Sequence, residues 1–102
     1  METINVSYDS NYVHHISALK YGHVAFVNAA VIKTDGNTDF HSMASGLPKP
    51  YDEEIVQVNV TPDNNAVRLK ITTNGELSEH WSPTWTCTSG NEINFILTYI
   101  CK

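Results

Sequence analysis

The sequence predicts an all-β fold, a small antiparallel β-sandwich of jelly-roll-like form, with residues 1–102 as a single domain. Three observations carry that prediction. Apolar residues recur with a period of two in several segments, and no segment shows the 3.6-residue period of an amphipathic helix. Turn-forming residues separate those segments, most plainly at Asn74-Gly75. The third is Gly46-Leu47-Pro48-Lys49-Pro50-Tyr51, where two prolines one residue apart fix φ, remove two backbone donors and hold Leu47 and Lys49 extended. Helix and central strand are both excluded there. The stretch reads as a crossover at the end of the sandwich with Leu47 plugging the core; an ordinary surface loop is the competing reading.

The elements follow in order. Residues 2–8 alternate, with Ile4, Val6 and Tyr8 on one face, as a half-buried strand does. Asp9, Ser10 and Asn11 supply a turn. Tyr12 to Lys20 fits neither period cleanly and is assigned as strand. Tyr21-Gly22 then turns into the most apolar segment, His23 to Lys33, which carries apolar groups on both faces. A strand apolar on both faces must be covered on both, and a two-layer sandwich covers only one. A second subunit is the economical cover, although Ala25 and Ala29 are small enough for a solvated face. Whichever of Val27 and Val31 faces outward is then expected to lie in the contact.

Thr34 to Asp39 is a loop by composition, and Asp52, Glu53 and Glu54 form a solvated acidic cluster. Ile55 to Val60 is a strand with Val56, Val58 and Val60 inward, and Thr61 to Asn65 a turn. Val67, Leu69 and Ile71 alternate with Arg68, Lys70 and Thr72, the clearest amphipathic strand in the chain. Asn74-Gly75 reads as a two-residue hairpin leading to Glu76–His80. The last strand, Ile93 to Ile100, places Ile93, Phe95, Leu97 and Tyr99 on one face and Asn94, Ile96, Thr98 and Ile100 on the other. Ile96 and Ile100 again ask for a covered second face.

Composition limits the function classes. Six basic against eleven acidic residues give a net charge of -5, which argues against a nucleic-acid footprint and against attraction to anionic lipid. There is no apolar run of about 18 residues and no signal-peptide pattern, so a chain made in the cytosol without membrane insertion is expected. Cys87 and Cys101 belong to no metal-binding cluster and are expected as free thiols. If residues 84–100 form one hairpin turning near Ser89–Asn91, position 87 faces position 94 and Cys101 lies out of reach.

Enzymatic chemistry finds no constellation. His14, His15, His23, His41 and His80 include no i, i+2 pair that would share one strand face for a metal. No Gly-x-Ser-x-Gly motif is present, and the carboxylates at 52–54 look solvated rather than convergent. Neither a cofactor nor a metal is expected.

The order of the pieces resembles the C-terminal head domains of tailed-phage tail fibres and receptor-binding (baseplate) proteins. The resemblance covers residues 21–100: a strand apolar on both faces after Tyr21-Gly22, the Leu47-Pro-Lys-Pro50 crossover, Ile71-Thr-Thr-Asn-Gly-Glu-Leu77, and a closing Ile93-Asn-Phe-Ile-Leu-Thr-Tyr99. It implies a homotrimeric sandwich at a fibre or baseplate tip, assembled in the host cytoplasm into the virion tail beside other tail or baseplate proteins, and touching host-surface saccharide. Such heads usually follow a shaft, whereas this sequence starts at Met1. Two functions of different class follow. In one the domain binds glycan through loop aromatics, with Trp81, Trp85, Tyr51 and His80 as the expected contacts and Asp52 and Glu79 as acceptors. In the other it is a structural or assembly component with no ligand of its own, and the tryptophans close the core.

Overall fold

Strand formation follows the period-two apolar pattern. In this computed structural model residues 1–36, 42–60, 65–81, 84–87 and 92–102 are described, without the side chains of 58–60, 65, 66 and 81. They form β1 (Glu2–Ile4), β2 (Ser7–Tyr8), β3 (Val13–Tyr21), β4 (Val24–Val31), β5 (Lys33–Asp35), β6 (Ser42–Ser45), β7 (Glu54–Val60), β8 (Asn65–Ile71), β9 (Leu77–Trp81), β10 (Thr84–Thr86) and β11 (Ile93–Ile100). A four-stranded sheet runs β1-β3-β4-β11, a five-stranded sheet β2-β6-β9-β8-β7, and a two-stranded arm joins β10 to β5. All pairings are antiparallel. The chain is an all-β sandwich, as the alternation predicts.

The core lies between the two larger sheets. Val67, Leu69 and Ile71 of β8 are fully buried, as are Val27 and Val31 of β4, with Ile16, Ile93, Phe95 and Tyr99 against them. This corrects the expectation for β4: Val27 and Val31 both face inward, and the residue that faces out is Phe26, with Asn28. Residues 2–8 are not one strand. The ribbon leaves the four-stranded sheet after Ile4 and enters the five-stranded sheet at Ser7, so Ile4 and Val6 pack on the core while Tyr8 is exposed.

The crossover behaves as its prolines dictate. Leu47 is 3% exposed, and its N–H donates to the Gly75 carbonyl at 3.0 Å. Pro50 bridges to Cys101, and the Tyr99 hydroxyl donates to the Pro48 carbonyl at 2.6 Å. The chain leaves β6 and returns to the same sheet at β7, giving the order β6-β9-β8-β7, a Greek key. The segment thus closes the end of the sandwich between strands of one sheet while touching β11 of the other.

Two turns and one pairing differ from the sequence reading. The Gly75 N–H donates to the Thr72 carbonyl and the Thr72 N–H to the Glu76 carbonyl, with Gly75 at φ +79. That is a three-residue loop closed by a left-handed glycine rather than a two-residue turn. Thr34 and Asp35 are strand, not loop, because β5 pairs with β10 in register Trp85↔Thr34. Residues 84–86 therefore do not face β11, and Cys87 donates its N–H to Ile32 instead of opposing residue 94. Both cysteines are free thiols. Of the inward positions expected in β7, Val56 is half-buried; the side chains of Val58 and Val60, and the turn at 61–64, lie outside the described residues.

Candidate functional site

The outer face of the four-stranded sheet is the most distinctive surface. The Gly22-His23 loop, with Gly22 at φ +61, sets β3 against β4 so that Tyr21 pairs with Val24 and Leu19 with Phe26. Across β4, Val24 opposes Ile100, Phe26 opposes Thr98 and Asn28 opposes Ile96. Alternation then places Tyr21, Val24 and Ile100 in one row, Leu19, Phe26 and Thr98 in the next, and Ser17, Asn28 and Ile96 in a third. Ile96 is 77% exposed, Tyr21 66% and Ile100 58%, with Leu19 and Phe26 each above a third. A run of large apolar side chains on one solvent-facing sheet marks an interaction surface. Ile96 and Ile100 were legible from the sequence; Leu19, Tyr21 and Phe26 are added by the register, and the signal for them was the tight turn at Tyr21-Gly22.

Two of the four expected ligand contacts, Tyr51 and Trp81, lie toward opposite ends of β9. Tyr51 is exposed just beyond Pro50, at the end of the sandwich where the Gly75 turn leads into β9. Trp81 ends β9 opposite Arg68, four residues along the strand from Leu77, roughly 13 Å away. The Trp81 side chain lies outside the described residues. His80, its neighbour, is half-buried. Trp85 sits on β10 against β5, half-buried and packed on the core. Asp52 is exposed, but Glu79 is fully buried on β9 and so is no loop acceptor.

Glu79 belongs instead to a polar network under the β5–β10 arm. Its Oε1 accepts the Asp35 backbone N–H at 2.9 Å, and the Tyr12 hydroxyl donates to Asp35 Oδ2 at 2.6 Å. The Lys33 ammonium stands 5.2 Å from the centre of the Tyr12 ring. That hydrogen bond to Asp35 is the largest cause pushing the Tyr12 hydroxyl up to about 12; burial and the charges of Asp35, Asp9 and Glu79 act the same way. Burial, first, also raises the Tyr99 hydroxyl. The network fastens the arm to the sandwich, and its carboxylates are engaged in doing so.

The histidines serve separate ends. His14 Nδ1 meets Glu92 Oε1 at 2.5 Å on the surface, and His23 Nδ1 lies 3.1 Å from the Cys101 carbonyl. His15 is exposed, and His41 lies outside the described residues. Among the described residues no group of three or more His, Cys, Asp or Glu side chains is placed to hold a metal ion. Comparison with protein-family models, with curated proteins and with solved structures finds no match to this chain.

Proposed function

We propose that the chain is a non-enzymatic tail-fibre head or tail-assembly domain, and that its work is done by copies associating through the four-stranded sheet. The observation that supports this is the outer face carrying Leu19, Tyr21, Phe26, Ile96 and Ile100. Strands of three, nine, eight and eight residues about 4.8 Å apart span about 450 Å². Two such faces bury about 900 Å², the range of a weak, concentration-dependent interface. The tail setting, and with it the virion location and the neighbouring tail or baseplate proteins, rests on the sequence resemblance across residues 21–100. That resemblance also implies a trimer.

Between the two functions the assembly reading leads, because Trp85 packs on the core and Tyr51 stands apart from it. Saccharide recognition is the second reading, supported by the exposed Tyr51 ring. Sedimentation equilibrium at micromolar concentration tests the first: an oligomer is expected for the native chain, and a smaller species for Phe26→Asp. A native chain that is monomeric throughout that range overturns it. A glycan array on the same protein tests the second.

A further inference from the structure

We infer that the open edge of β11 pairs antiparallel with the same edge of a second copy, centred on Ile96. This rests on the reading above that copies associate, and goes beyond it by adding to the outer face a second contact, at the sheet edge, with its own symmetry.

The backbone alternation defines the edge. Cys101 donates its N–H to His23, so odd-numbered residues of β11 turn their backbone groups toward β4 and even-numbered ones turn them away. Lys102 confirms the parity by donating to the Lys49 carbonyl on the other side. The crossover therefore occupies the edge at Cys101–Lys102, where Pro50 is bridged. Further back, β11 has β4 as its ladder partner and no second ladder partner among the described residues, β7 of the other sheet being a neighbour. The N–H and C=O groups of Asn94, Ile96 and Thr98 point away from β4 along that stretch.

This edge lacks the features that keep edges apart. The edge strands β1 and β2 are three and two residues long, and β1 begins at Glu2. The edge strand β7 carries Glu54 and an exposed Gln57 held by Arg68 Nε at 3.0 Å. By contrast β11 is eight residues long, reads Ile-Asn-Phe-Ile-Leu-Thr-Tyr-Ile, and has neither charge nor proline; its register with β4 is unbroken.

A second copy fits the vacant stretch by symmetry. With a two-fold axis at Ile96, Ile96 lies beside Ile96 of the second copy, and Asn94 faces Thr98 in both halves. An apolar pair at the centre and polar pairs on either side make a self-complementary, isologous contact. Each pair exchanges backbone hydrogen bonds, and the two four-stranded sheets become one. An antiparallel edge closes as a two-fold pair; the trimer that the resemblance implies would have to use the outer face instead.

Ile96→Pro tests this directly, because the Ile96 N–H points away from β4 and its loss leaves the internal ladder whole. Ile96→Lys is the second variant, a guarding charge at the same position. Sedimentation of Phe26→Asp, which removes the outer-face contact, should still show a dimer, and adding either Ile96 variant to it should raise the dissociation constant at least tenfold. Hydrogen exchange on the native chain gives a readout independent of any variant's folding: the amides of Asn94, Ile96 and Thr98 should become protected as concentration rises through the dissociation constant. An assembly that dissociates with Phe26→Asp but ignores both Ile96 variants and leaves those amides unprotected overturns the edge pairing and keeps the self-association reading. A native chain that stays monomeric overturns both.

Discussion

The carbonyl oxygen of Leu47 occupies the space that a β-carbon on residue 75 would need, while the Leu47 N–H donates to the Gly75 carbonyl. The crossover and the β8–β9 turn are thus in backbone contact, and only glycine permits the approach at φ +79. Gly75→Ala should lower stability by at least about 2 kcal/mol in urea unfolding. Leu47→Ala, which empties a buried position, should cost about 2–5 kcal/mol. A loss below about half a kcal/mol at Leu47 would show the crossover to be a surface loop after all.

Alkaline pH should act through Tyr12. Its hydroxyl titrates near 10 when free and at about 12 in the folded chain, so folding favours the protonated form. That contribution is complete below pH 10 and fades as pH rises to 12. Tyr12→Phe should therefore be less stable than the native chain at pH 8, with the difference shrinking between pH 10 and 12. Urea melts across that range check it; Tyr99 ionises in both proteins and cancels from the comparison.

Opposite outcomes are expected at adjacent positions of β4. Val27→Asp places a carboxylate in the core and should prevent folding, at a cost of several kcal/mol, roughly. Phe26→Asp changes the outer face, and should leave the circular-dichroism spectrum native while reducing the size of the oligomer. If both variants unfold alike, Phe26 is core and the outer face is not an association surface.

Trp85→Ala and Tyr51→Ala separate packing from recognition. Trp85→Ala should lower the melting temperature by several degrees, in keeping with a side chain packed on the core. Tyr51→Ala should leave it within about a degree, since an exposed residue contributes little to stability. Loss of saccharide binding in Tyr51→Ala alone would move the glycan reading ahead of the assembly one.

The parts of the fold that the sequence announces are those where one force acts alone. β8 is legible because Val67, Leu69 and Ile71 alternate with charged residues, and the crossover because proline geometry admits few alternatives. The β5–β10 arm is not: Thr34 and Asp35 have loop composition, and what makes them strand is pairing with residues far along the chain. Glu79 is misread for a related reason. A carboxylate is ordinarily exposed, and nothing local signals that the Asp35 N–H will meet it in the interior. The outer face was half legible, since Ile96 and Ile100 stand out while Leu19 and Phe26 join them through register alone.

The pairing of β4 with β11 also sets a timetable. During synthesis β3 can fold back on β4 early, but β11 follows β4 only after the chain from Val31 to Ile93 has been made, and until then Val27, Ala29 and Val31 lack the strand that completes their sheet. The nascent chain therefore waits, with an apolar strand edge uncovered, while β6 to β9 of the other sheet are synthesised. Any pause in the message between the two strands lengthens the interval in which a chaperone, or another nascent copy, can reach β4 first.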